Sequence, residues 1–185
     1  MTTIATVTGN PKPKSRTHGV AVAVADVIAA AFPASGAVGG PVAGAAAGPA
    51  AGAVTRLDID LAEYAPRLFD WNDTELTRLT AEVATSSVAV FASPTYKASY
   101  TGMLKAFLDR YGSNGLAGVV AVPVMTGGWP GHLLSVEVHL RPVLVELGAI
   151  VPARGLYVTE PEFDDLGAAV GKWAETAVPL ITRSL

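Results

Sequence analysis

Residues 5–17 read Ala-Thr-Val-Thr-Gly-Asn-Pro-Lys-Pro-Lys-Ser-Arg-Thr. A β-type run stops at Gly9, a loop with two prolines follows, and Ser15-Arg16-Thr17 opens a long apolar helical pattern over 18–32. A strand, a tight polar loop and a helix start make an anion site. The first N–H groups of a helix have no intrahelical acceptor, and the helix dipole places partial positive charge there. Ser15 and Thr17 add hydroxyl donors, and Arg16 adds a charged fork suited to a phosphate. The stretch is therefore predicted to hold a terminal phosphate. It is neither of two familiar loops. Pro13 stands where a Walker A loop needs its second glycine, and no pair of glycines in the chain is spaced as G-x-G. A serine-capped βα loop with no ligand would share this spelling.

Outward from that stretch the chain alternates. Strands are predicted over 3–8, 54–59, 87–92, 117–124 and 150–158. Helices are predicted over 18–32, 74–84, 102–111, 132–147 and 161–183. Val20, Val24, Val27, Ile28 and Ala31 share one face of the first helix, which Pro33 ends. Asp73 is placed to cap the second helix. Pro142 should kink the fourth or start a new one, and Gly148 should close it. In the connection 61–71, Pro66 and Trp71 are expected to pack. Residues 34–53 are almost wholly Ala, Gly, Pro and Val, which reads as a low-complexity insert and a mobile loop within a single domain spanning 1–185. Such alternation implies an α/β, doubly wound five-stranded parallel sheet with helices on both faces, and the commonest order for five strands is 2-1-3-4-5. In that order the loops after strands one, three and four open on one rim beside the switch point, where ligands sit.

Those three loops carry the most distinctive chemistry. After strand three comes Ser93-Pro94-Thr95-Tyr96-Lys97-Ala98-Ser99-Tyr100-Thr101-Gly102. Tyr96 offers a flat surface for a ring, and Lys97 a charge for a carbonyl or a reduced, anionic ring. Packing for the tyrosines and solvation for the lysine are the plainer alternatives. After strand four, Thr126-Gly127-Gly128 allows close backbone approach. No triad, close carboxylate pair or metal-ligand spacing is evident.

Bulk properties bound the function. A net charge of −3 with 13 basic residues argues against a general nucleic-acid binder. With no cysteine, disulfides, thiolate catalysis and cysteine-bound metal are excluded, and three scattered histidines make a histidine metal site a poor expectation. No basic leader and no uninterrupted apolar span is seen, so a cytoplasmic protein without membrane attachment is expected.

The residues also carry a family resemblance. Gly9-Asn10-Pro11 … Ser15-Arg16-Thr17 resembles the phosphate loop, G-S-P-x-x-x-S-[RK]-[ST], of the NAD(P)H-dependent FMN reductases with a flavodoxin-like fold. Residues 93–105 resemble that family's S-P-x-Y-x-x-S-x-x-G-x-L-K segment. The Tyr-Lys-Ala-Ser spelling, Thr126-Gly127-Gly128 and Leu140-Arg141-Pro142-Val143-Leu144 are similar to the flavin reductases of two-component alkanesulfonate monooxygenases. The likeness spans roughly 4–158. It implies that Ser15, Arg16 and Thr17 hold the FMN phosphate, that Pro94, Thr95, Tyr96 and Lys97 line the isoalloxazine, and that Thr126, Gly127 and Gly128 meet its other edge. Asn10 departs from the family's serine. The resemblance further implies hydride transfer from NADPH or NADH to FMN, no residue acting as general base, a partner monooxygenase, and a homodimer or homotetramer. A quinone, chromate or azo reductase with tightly held FMN is the competing expectation. A flavodoxin-like electron carrier and a redox-inert phosphate-binding module are the non-catalytic ones.

Overall fold

The computed structural model of the chain describes residues 1–32 and 54–185, so the 34–53 insert and the helix-ending role of Pro33 lie outside the described residues. Five strands, β1 (Thr2–Thr8), β2 (Val54–Asp60), β3 (Val88–Pro94), β4 (Val120–Gly127) and β5 (Leu156–Thr159), form one sheet. Its order is β2-β1-β3-β4-β5 and every pairing is parallel, as the alternation predicts. Parallel strands need helical crossovers, so both sheet faces are covered. The period of two then divides each strand between two cores. Ile4, Val88, Val90, Val120 and Val122 pack under α1 (Arg16–Ala30) and α5 (Leu166–Arg183). Ala5, Val7, Phe91, Ala121 and Met125 pack under α2 (Thr74–Ala84), α3 (Gly102–Leu108) and α4 (Arg141–Glu146). The first core is largely Val and Ala, which lets α1 lie close to the sheet. The second holds Phe91, Phe107 and many leucines.

Capping chemistry sets the helix starts. α1 begins two residues before the predicted position, because the Ser15 hydroxyl accepts the His18 N–H at 3.2 Å. Asp73 caps α2 as expected, accepting the Leu76 N–H at 2.8 Å. That N–H, together with the Arg67 guanidinium, holds the Asp73 carboxyl below its usual range. α3 ends at Leu108 rather than 111: Arg110 and Tyr111 N–H groups bond three residues back, and Tyr111 still meets the Phe107 ring edge-on.

Four further predicted elements are corrected. β4 starts three residues later than expected, because Gly118 takes φ +87° and the Ala117 and Val119 N–H groups are spent on turn bonds. It also runs further than expected: Thr126 and Gly127 pair with β5 opposite Val158 and Thr159, so they are strand residues, not loop. β5 is far shorter than 150–158. The Arg141 guanidinium takes the carbonyls of Val151 and Ala153, and the Glu137 carboxylate takes the Gly155 N–H, so side chains satisfy backbone groups that a ladder would have used. The predicted helix over 132–147 is broken into a 3-10 turn (Pro130–His132), a π-helical turn (Val136–Leu140) and α4, with Pro142 in the first turn of α4. Proline has no N–H to give the preceding turn, which agrees with its predicted role of starting a second helix. Gly148 closes α4 at φ +85°. A 3-10 turn (Glu160–Asp165) likewise precedes α5. Pro66 and Trp71 do not pack inward. Trp71 is 58% exposed, with the Arg110 guanidinium 5.5 Å from its ring centre. Among the described residues, no helix is long and apolar enough to cross a membrane, and no group of three or more His, Cys, Asp or Glu could hold a metal ion.

Candidate functional site

The carboxyl ends of β3 and β4 and the chain segments after β1, β3, β4 and β5 meet in a cleft of ≈ 350 Å³ at the carboxyl edge of the sheet. That size falls within the range of roughly 300–1,000 Å³ typical of small-molecule and cofactor sites. Nine of the ten residues predicted for the site line it: Ser15, Arg16 and Thr17 from the first segment, Pro94, Thr95 and Tyr96 from the second, and Thr126, Gly127 and Gly128 from the third. Lys97 does not.

The α1 end is built by side chains that fix the backbone. Lys14 adopts φ +50°, and its N–H donates to Asp60 Oδ2 at 2.8 Å while the Ala62 N–H donates to Asp60 Oδ1 at 3.2 Å. One buried carboxylate at the end of β2 thus ties down the loop that precedes α1. Asn10 accepts the Lys12 N–H through Oδ1 at 2.9 Å and donates from Nδ2 to Thr17 Oγ1 at 3.1 Å. Thr17 Oγ1 lies 2.8 Å from Thr126 Oγ1, which carries the chain of bonds across to β4. The Thr17 hydroxyl is therefore engaged within the protein. The N–H groups of Arg16 and Thr17, at the first turn of α1, have no intrahelical acceptor. The amide of Asn10, a departure from the resembled motif, braces this turn.

The opposite end is a tight reversal. Tyr96 and Ser99 exchange N–H···O bonds at 2.9 and 3.1 Å, with Lys97 and Ala98 between them at φ +51° and +65°. Two successive positive φ values make a type I′ turn, which ordinarily selects Asn and Gly. Holding a lysine and an alanine there costs on the order of 1 kcal/mol each. The turn puts Lys97 at its exposed tip, which explains its absence from the cleft wall. Tyr96 lines the cleft yet is 52% exposed. Thr95 is anchored by its N–H to the Thr126 carbonyl at 2.7 Å, and its buried Oγ1 has no hydrogen-bond partner among the described residues. At Gly127 a methyl group would lie 2.1 Å from the Tyr157 hydroxyl and 3.3 Å from Thr95 Cβ, so the absence of a side chain here makes room for Tyr157.

Four lining residues were not predicted as binding residues: Asn10, Lys12, Glu160 and Phe163. Glu160 and Phe163 come from the 3-10 turn after β5. Arg16 Nη2 lies 3.1 Å from Glu160 Oε1, and its guanidinium carbon sits 4.7 Å from the centre of the Phe163 ring. The available signal was topological: β5 neighbours β4, so its following segment reaches the same rim.

The family described as NADPH-dependent FMN reductase matches residues 2–163. The chain is 36% identical over 90 residues to FMN reductase (NADPH) of Escherichia coli K12, covering 49% of this chain and 47% of that protein. It is 32% identical over 107 residues to the NADH-dependent FMN reductase SfnF of Pseudomonas fluorescens, covering 54% and 57%. The matched region thus spans about half the length of these curated relatives. Over the whole chain it superposes on the apo crystal structure of NADH:FMN oxidoreductase (EMOB) with a TM-score of 0.78 and 25% identity, covering 100% of this chain and 90% of that one.

Proposed function

The chain belongs to the NADPH-dependent FMN reductase family, and from that premise we propose that it reduces FMN at the expense of NADPH or NADH. The observation that carries the reading is the convergence of the first three segments on one cleft, with anion-binding groups at one end and a flat, partly exposed wall at the other. The residues present suit FMN. The free N–H groups at the start of α1, the Ser15 hydroxyl and the charges of Arg16 and Lys12 suit a phosphate. The Thr95 hydroxyl, buried and without a partner among the described residues, suits a polar edge of the ring system, and Gly127 and Gly128 line the cleft beside it. Tyr96 supplies an apolar flank. Lys97 is left out of this set by its place on the turn tip.

FMN held by these residues would supply the redox chemistry, as the acceptor of hydride from NADPH or NADH. The protein's part is to orient the flavin by its phosphate, hold its polar edge at the Thr95 hydroxyl, and leave one face open to a second flat molecule. No lining residue is asked to move a proton, which fits a cleft wall with Glu160 as its one carboxylate among the described residues. The likeness to two-component systems supports delivery of reduced FMN to a partner monooxygenase. Exposed Leu133, Leu134, Val138 and Val145, beside or within the broken fourth helical region, support a homo-oligomer.

The test is a steady-state assay of NADPH and NADH consumption with FMN, FAD, riboflavin and a quinone. Nucleotide oxidation that depends on added FMN is expected. Protein that neither binds FMN nor consumes either nucleotide with it refutes the reading. Turnover of the quinone by protein that purifies with flavin already bound would favour the competing quinone reductase.

A further inference from the structure

Glu160 stands where a phosphate site would be expected to hold only donors. Its carboxylate lines the same cleft as Ser15, Arg16 and Thr17, takes one hydrogen bond from Arg16 Nη2 at 3.1 Å, and lies 3.5 Å from where a methyl on Gly128 would be. Among the described residues, the charged groups lining the cleft are Lys12, Arg16 and Glu160. Two cations and one anion leave a single positive charge to face a phosphate that carries close to two negative charges near neutral pH.

The contact is made by one guanidinium nitrogen, and the Arg16 and Glu160 side chains are 64% and 62% exposed. A pair this exposed contributes little to folding. Its fold role is slight in another respect too: the capping box that starts the 3-10 turn uses Thr159 and Glu162, not Glu160. What the carboxylate does is occupy a guanidinium donor, together with the Phe163 ring that covers the Arg16 face. It also sets a like charge beside the phosphate position.

Resting on the FMN reading, we propose that Glu160 is a specificity-determining residue that competes with the flavin phosphate for Arg16. It keeps FMN exchangeable and narrows the preference for FMN over unphosphorylated riboflavin. The β5–α5 turn is then a fourth, weakening wall of a site whose other three walls bind.

The experiment measures FMN and riboflavin dissociation constants by calorimetry for the full chain and for Glu160→Gln, at low and at raised ionic strength. Glu160→Gln keeps the size of the side chain and removes its charge. The expected result is FMN bound about fivefold more tightly, the scale of an exposed ion pair, with riboflavin unchanged and the gain shrinking as salt rises. Weaker or unchanged FMN binding in Glu160→Gln overturns the proposal, weaker binding meaning that Glu160 instead holds Arg16 in place for the phosphate. Equal gains for FMN and riboflavin also overturn it. Wild-type protein that binds neither flavin breaks the FMN reading itself, an outcome separate from any of these.

Discussion

At the α1 end of the cleft, Asn10, Thr17 and Thr126 are buried and joined by hydrogen bonds, and the preceding loop is tied to Asp60. At the Tyr96 end, a type I′ turn made of unsuited residues carries an aromatic ring half in solvent. The first end is set before any ligand arrives, so it can fix one charged group without losing the entropy of ordering side chains. The second end has few buried bonds of its own and gives breadth rather than grip. A site that binds one flat molecule by its tail and must admit another beside it is well served by that division.

The contrast can be attacked where the two ends share a wall. Gly9 lies against the start of α3, and a methyl there would come within 2.4 Å of Leu104 Cβ and 2.9 Å of its Cα. Backbone cannot swing aside, so Gly9→Ala should destabilise the fold by about 3 kcal/mol, the upper range for overpacking. Denaturant unfolding measures it, and a loss below about 1 kcal/mol would mean that the two loops are less firmly braced than described. Next in size, Arg16→Ala should weaken FMN about tenfold while leaving riboflavin unchanged, as removal of one charge-assisted contact implies. Equal losses for both flavins would erase the distinction between the two ends. Tyr96→Ala should weaken FMN and riboflavin alike, by about fivefold, because the ring flank does not sense the phosphate. The smallest effect is expected at the turn tip. Lys97→Gly relieves a positive φ and should raise stability by about 0.5 kcal/mol, with flavin affinity changed less than about twofold. A large loss of affinity there would return Lys97 to the binding set.

How much of this could be read beforehand follows the same division. The alternation of strands and helices pointed to a parallel sheet, and the apolar run of β3, buried along its whole length, agrees with one covered on both faces; the order 2-1-3-4-5 came from its being the commonest for five strands. The anion-binding end was legible because Ser15-Arg16-Thr17 directly follows a strand and a turn. The turn end was less so: Lys97 looked like a site residue by its neighbours, but its backbone conformation is imposed by the Tyr96–Ser99 pairing and has no signature in a lysine and an alanine. Glu160 and Phe163 were missed because a helix was expected from residue 161, and nothing announced the 3-10 turn Glu160–Asp165 that places them on the rim; the late start of β5 was equally hidden, since nothing in Val151 to Gly155 announces that Arg141 and Glu137 will take its backbone bonds. The break in the fourth helical region was half legible: Pro142 announced it, but the π-helical turn before it was not foreseen.

One hydroxyl has a reach beyond its own helix. Thr101 Oγ1 donates to the Gly9 carbonyl at 2.5 Å and accepts the Leu104 N–H at 3.2 Å, while the Gly9 N–H reaches the Ala92 carbonyl at 2.8 Å. Two loops that are far apart in the chain are thereby spaced by a single side chain, which acts as a gauge block between them. A residue gained or lost in either loop would upset the setting of both, so variation in length is best tolerated on the side of the rim that Thr101 does not touch.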